Sequence, residues 1–580
     1  MVIINNTLLK KQQVQSMKKL FYFVFFICLC LKVYSVNGNS TQLIKAGHWV
    51  YNDLYTLSSE AKKSYFIDNQ PLTVGELKFY FKEIEFETLS ESGKFLYQKI
   101  DDFLNTNQSF FKDQEFRLFV NTKINAEFYY KSNPQIPFSF DYAIKDRFLT
   151  VPIIIGFADY VTLQTDLFLG KNYIRAQSPY SFSNIPLAGD QFEFLTPRYA
   201  YGSCGITRDD WGANISVAKE GLTVGNTLLG SVIYNNTFET DFYVQINFFT
   251  KWLKYTSDIV QVSSDKYIYL HQINIRPFKN FKFGCIEGSL LNAPFELRFL
   301  NPLTIMHGFK GWVDYANSTE MEYYNEGHFG AYLCFTIEYM PVSNLRIYAM
   351  YAQNEILDFG WAHSDIDYAY PDSLGGQLGI EHTIPLINSD FIKNTVEAVY
   401  TSPFLYVKQS PDWSFYKVRT DEFTHQDISS WIGSPFGPDC FAVKYNSTYQ
   451  SKKWKTSLSY LFKIHGENNS SIFNTTQTIK GTDGTETKIY SYYPWTEYKI
   501  ATKDGDTDAA NAAIKKSRNM WMSGIREYTN QFTLSGEYQI FDNLKLYGQV
   551  VYSFIFNTKN ILNNFQQGIE LGIGCEYSIF

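Results

Sequence analysis

The chain has 580 residues, 18% of them aromatic with 44 Tyr and 50 Phe, a mean hydropathy of -0.23 and a formal net charge of -7. Acidic and basic residues are mixed along it, which leaves neither the basic stripe nucleic acid requires nor an acidic tail, so nucleic-acid binding is set aside. The aromatics, with abundant Asn, Ser and Thr, favour strands.

In chain order, Met17-Lys18-Lys19 followed by the apolar run Leu20 to Leu31 predicts a secretory signal peptide over residues 1–38, with Met17 as an alternative start. After it, no apolar run approaches the ~18 residues of a membrane-spanning helix, so any crossing of a membrane is by strands closed into a barrel. Five cysteines follow (Cys204, Cys285, Cys334, Cys440, Cys575), too scattered for a disulfide framework or a metal site.

Residues 39–112 predict a small helical module, expected on the periplasmic side. Trp49, Leu54 and Leu57 have helical spacing, and Pro71-Leu72-Thr73-Val74-Gly75-Glu76 contains a Thr-x-x-Glu capping box ahead of Leu77, Tyr80, Phe81 and Ile84. Leu96, Ile100 and Leu104 mark a third helix.

From residue 113 to 580 the period changes to two. Phe532, Leu534, Tyr538 and Ile540 alternate with Thr533, Ser535, Glu537 and Gln539, and Phe242, Val244, Ile246 and Phe248 alternate with Asp241, Tyr243, Gln245 and Asn247. A soluble sandwich shows the same alternation, but the connections separate the two. Glu338-Tyr339 to Asn344-Leu345 and Glu537-Tyr538 to Asn543-Leu544 are one tight hairpin written twice. The connections at the opposite ends, residues 291–328, 354–374, 406–438 and 465 to about 520, are long and polar. Strands at 267–277, 329–340, 376–386, 439–449, 528–541 and 567–580 run toward the short turns; those at 281–290, 345–353, 393–405, 453–463 and 544–556 run away. Such asymmetry predicts a mainly β fold, an antiparallel transmembrane β-barrel of about 16–18 strands with a small N-terminal α-helical module.

Several stretches resemble the outer-membrane capsule assembly proteins of the Wzi type, including spirochaetal relatives: Pro71 to Glu76 ahead of a barrel, Asp210 to Lys219, Val224 to Gly230, Phe295 to Pro302, and the Asn344 to Tyr348 hairpin. A glycine-arginine pair common before the Gly-rich turn in that family appears here as Val217-Ala218-Lys219-Glu220. The resemblance implies a non-enzymatic surface lectin, integral to the bacterial outer membrane, that holds capsular or other exopolysaccharide. The ending also resembles the assembly signal of such barrels, with Gly574, Tyr577, Ile579 and Phe580 at its glycine and hydrophobic positions, which implies outer-membrane lipid and the barrel-assembly machinery as partners and a periplasmic C-terminus.

Catalytic motifs are absent: no Gly-x-Ser-x-Gly elbow, His-Glu-x-x-His or phosphate-binding loop occurs. No metal site or cofactor is expected. Candidate ligand contacts are Arg198, Tyr199, Arg208, Asp210 and Trp211, expected near the lumen, and Trp361, Asp365, Asp367, Asp412, Trp413 and Trp431 in the long loops, where the alternative is loop packing. Asp504 to Asp508 lacks the closing Glu of a calcium loop and is expected to be a flexible excursion. Polysaccharide binding thus stands beside two alternatives, a diffusive porin-type channel and a barrel hydrolase.

Overall fold

The computed structural model describes residues 34–35, 40–105, 108–109, 111–112, 116–139, 147–171, 179–186, 192–194, 199–235, 241–301, 329–355, 369–420, 427–480 and 486–579. The expected signal segment lies outside these, apart from Tyr34–Ser35, which pairs with Gln108–Ser109.

Eighteen antiparallel strands close on themselves. β1 bends once, so that it comprises Phe116–Val120 and Lys123–Lys131; β2 is Leu149–Phe157, β3 Val161–Lys171, β4 Ala200–Thr207, β5 Trp211–Glu220 and β6 Asp241–Thr250. β7 is Leu253–Ser263, β8 Lys266–Phe278, β9 Phe281–Asn292, β10 Phe329–Tyr339, β11 Leu345–Glu355 and β12 Ser373–Pro385. β13 is Phe391–Thr401, β14 Cys440–Gln450, β15 Trp454–His465, β16 Glu527–Phe541, β17 Leu544–Phe556 and β18 Gln566–Ser578. β18 returns to pair with β1, Tyr577 opposite Ile124 and Leu571 opposite Tyr130, so no strand edge is left open there.

The burial pattern chooses between barrel and sandwich. On β6 the inward Tyr243, Gln245 and Asn247 are buried, whereas the outward Phe242 is 54% and Phe248 40% exposed. A water-soluble domain would invert this arrangement; lipid around the wall and polar packing within it explain it. On β18 the outward row Ile569, Leu571, Ile573 and Tyr577 is exposed in the same way. No helix among the described residues is long and apolar enough to cross a membrane. All five described cysteines are free.

Short turns and long connections alternate as expected from β8 to the end, with two departures upstream. β7 and β8 are joined by a tight turn at the long-loop end, Asp265 taking φ 52°. Residues 221–235, between β5 and β6, fold into the lumen instead of outward, as their bonds to inner-wall residues show.

Three helices precede the wall: α1 Trp49–Glu60, α2 Val74–Phe81 and α3 Glu91–Asn105. They share a core of Val50, Leu54, Leu77, Tyr80, Leu96 and Ile100 that extends to Phe249 and Phe391 of the barrel. Thr73 caps α2, accepting from the Glu76 amide at 3.2 Å. The module sits at the short-turn end: Ser64 N donates to Lys279 O, Asn344 N to Ser59 O and Ser92 Oγ to Asp390 O.

The long loops carry structure of their own. Between β15 and β16 lie α4 Pro494–Asp504 and α5 Thr507–Ser517, joined by Gly505 in the left-handed region. The expectation of a flexible excursion is corrected: Asp506 caps α5, its Oδ1 accepting from Ala509 N at 2.9 Å.

Candidate functional site

The lumen is where the plug, the loops and the inner wall meet. α2 and the turn before it carry acidic groups into a wall that supplies cations. Lys254 Nζ on β7 lies 2.6 Å from Glu76 Oε1, both side chains fully buried. Lys282 Nζ on β9 lies 2.9 Å from Asp68 and 2.6 Å from the Tyr65 carbonyl. Arg276 on β8 donates to both Glu83 oxygens at 3.1 Å and to Ser64 O at 3.0 Å. Asn69 Nδ2 bridges Asp258 and Gln272, each at 3.0 Å. Burial is the largest influence on Asp68, yet the Lys282 ammonium and the accepted hydrogen bonds outweigh it and hold the carboxyl below the usual aspartate range. For Glu76 burial prevails, and the carboxyl stands above the usual glutamate range despite Lys254.

The second filling element is residues 221–235. Residues 223–224 pair with 69–70 of the plug. Gly230 takes φ +84° with a Cβ position 2.4 Å from Pro435, so only glycine fits both the turn and the contact. Glu397 on β13, fully buried, accepts from Leu228 N at 2.8 Å, Leu229 N at 2.7 Å and Gln377 Nε2 at 2.7 Å, and Tyr348 also donates to it. Tyr332 Oη donates to Ile233 O at 2.8 Å. These bonds staple an irregular segment inside the barrel, where buried backbone groups need partners.

From the long-loop end, residues 402–416 and 431–432 close over the same segment. Val232, Leu405, Tyr406, Phe415, Tyr416, Trp431 and Ile432 form one apolar cluster with Leu290 and Tyr332 of the wall.

A cavity of about 550 Å³ remains between the plug face of Trp49, Asn52 and Thr56 and the inner wall of β11 to β18. Residues 226–228 also line it, as do Asp542, Asn543 and Ser578 at the short-turn end.

The sequence candidates distribute unevenly over this geometry. Tyr199 is buried with the Lys45 ammonium 3.8 Å from its ring centroid, and Lys45 pairs with Asp166 of the inner wall at 2.8 Å. Arg208, Asp210 and Trp211 are exposed in the β4–β5 hairpin at the short-turn end, which corrects their expected place near the lumen: strand parity turns Trp211 outward, 41% exposed and stacked on Phe248. Trp413 and Trp431 are buried in the loop-end cluster, Trp431 packing on Tyr416 with centroids 4.8 Å apart, while Asp412 is exposed. Gly574 packs against the Tyr547 ring, Tyr577 is outward, and Ile579 N donates to Thr122 O at 2.9 Å. Arg198, Trp361, Asp365, Asp367 and Phe580 lie outside the described residues. Among the described residues no group of His, Cys, Asp and Glu is arranged to hold a metal. His271 and His465 face backbone carbonyls, Phe299 O at 2.9 Å and Phe436 O at 3.0 Å, rather than a nucleophile.

Sequence reasoning missed the wall side of the cavity and Glu397. Pairing across strands far apart in the chain gives no local signal.

Fold and lumen define a transmembrane β-barrel with an internal plug. No family model and no curated protein sequence matches the chain. Among solved structures it is similar to Wzi of Escherichia coli, described as a carbohydrate-binding β-barrel involved in group 1 capsule assembly. Identity is 11% and the TM-score 0.52, over 92% of this chain and 98% of that one. OprD of Pseudomonas aeruginosa matches at 8% identity and a TM-score of 0.36, over 80% and 94% of the two chains. The anion-selective porin of Comamonas acidovorans matches at 8% and 0.31, over 80% and 100%.

Proposed function

We propose that the protein binds surface or capsular polysaccharide at the outer membrane and is closed to free diffusion. The observation that carries this reading is the filling of the lumen by three parts of the same chain: the helical plug, residues 221–235 and residues 402–416. A diffusive porin needs a water-filled path through the barrel, whereas a binding barrel needs a rigid scaffold with polar groups aimed at a ligand. In this reading residues 1–38 direct secretion, the helical module and the C-terminus face the periplasm, and the long loops face outward, as is general for such barrels.

Planar-bilayer recordings of the full chain test it together with capture of the expressing cells' own surface polysaccharide. The expected result is conductance far below that of an open porin and retention of the polysaccharide. A large steady conductance without retention would establish the channel reading instead.

A further inference from the structure

We propose that the cavity between the plug and β11 to β18 is the glycan site, and that it takes a short, uncharged, hydroxyl-rich stretch of the polysaccharide. The inference rests on the polysaccharide reading above and adds to it the place and the class of sugar.

The first argument is packing. Inward side chains of β7 to β11 that meet the plug are closed off: Lys254, Gln272, Arg276, Lys282, Glu338 and Arg346 are each 1–2% exposed. Across the lumen, Asn446 and Thr448 on β14, Ser457 on β15 and Glu537 and Gln539 on β16 are only half-buried, though they too point inward. The plug therefore leans on one side of the wall and leaves the other accessible. The volume falls within the range of small-ligand pockets, about 300–1,000 Å³.

The second argument is the lining. Asn446 Nδ2 donates to Thr448 Oγ1 at 2.9 Å, and Thr448 Oγ1 lies 2.8 Å from Ser457 Oγ. This cross-strand row is held in place before any ligand arrives, and the Asn446 carboxamide oxygen remains for a sugar hydroxyl. Gln450, next along β14, makes no side-chain hydrogen bond among the described residues. Amides and hydroxyls that both donate and accept suit vicinal hydroxyl groups. Trp49 also lines the cavity, with the Lys99 ammonium 4.0 Å from its ring centroid.

The third argument is charge. The cavity's cations are matched rather than concentrated: Lys99 pairs with Asp53 at 2.7 Å, Lys393 with Glu381 at 3.1 Å and Lys545 with Glu576 at 3.3 Å. Lys455 stands directly opposite Glu537 in the β15–β16 register. A phosphate or uronate would find no uncompensated cationic cluster here, and a lipid chain no apolar wall.

The test measures retention of the expressing cells' surface polysaccharide by the full-length, detergent-solubilised protein. Three proteins are compared with wild type: the double variant Asn446→Ala/Gln450→Ala, the filling variant Ser457→Phe, and Arg419→Ala on the loop-end hairpin. Heat-modifiable migration verifies that each is folded, and the two cavity variants act independently should one fail to fold. We expect both cavity variants to weaken binding by about tenfold or more, as loss of a few hydrogen bonds does, with Arg419→Ala unchanged. We also expect the bound glycan to elute as neutral material on anion exchange. Wild-type binding with folded cavity variants equal to it overturns the site while leaving the polysaccharide reading intact. Retention of acidic glycan alone overturns the assigned class. Absence of wild-type binding overturns the reading and the site together.

Discussion

Glu76 is legible in the sequence as the third partner of Thr73 in a capping box, and half of that reading holds. Thr73 accepts from the Glu76 amide, but the carboxylate goes to Lys254, 178 residues away, instead of back to the Thr73 amide. A local motif specifies the helix start, while the side chain's destination depends on a strand that no local pattern connects to it. Lys254→Met should leave Glu76 as a buried carboxylate without its cation and cost roughly 3–5 kcal/mol, with much of the loss recovered in Lys254→Met/Glu76→Leu. Denaturant unfolding of the three proteins in detergent measures this. Asp68 supplies a pH prediction. Its carboxyl is held below the usual range in the folded state, so its stabilising contribution is present above its unfolded pKa and is lost as pH falls. Melting temperatures followed downward from about pH 6 to pH 3 should fall less steeply for Asp68→Asn than for wild type. Glu76, shifted upward, works in the opposite direction and is most favourable when protonated.

Among elements, the strands from β8 onward match the sequence pattern to within a few residues, for instance 544–556 for β17 and 281–290 for the longer β9. β2 is harder to read, since Leu149–Phe157 contains Ile153, Ile154 and Ile155 in a row and the period of two disappears. Ile154 faces the lumen opposite Gln164, where the wall is packed by loops and plug and does not demand a polar residue. The helices α4 and α5 do carry local signals: Pro494 at the first turn, Asp506 as a cap, and the alanines after it. Val224 to Gly230 carries part of the family resemblance, but the place of residues 221–235 inside the lumen depends on Glu397 and Tyr332. Gly230→Ala should strain a backbone at φ +84° and collide with Pro435, costing on the order of 1–3 kcal/mol. Trp431→Ala should remove a large part of the loop-end cluster and cost about 3–5 kcal/mol. Limited proteolysis within the 416–431 hairpin is the readout for the second, with faster cleavage expected.

For the whole molecule, opposite charges hold the plug against one side of the wall. Replacing Lys254, Arg276 and Lys282 together with Ala should release that grip on three strands at once and convert a quiet bilayer into one with frequent openings. An unchanged recording would show that the loop-end cluster alone seals the lumen. The closure of β1 on β18 has a further consequence, for assembly. Lys131 must wait for Glu570, and the acidic groups of the plug, made early in the chain, must wait for β7 to β9 before their cations exist. Contacts so far apart in sequence make folding slow, and through that interval the greasy outer rows of the early strands lack their last neighbour. Until that seam zips, the open edges of the first and last strands are templates on which a second chain could add, and closure removes them.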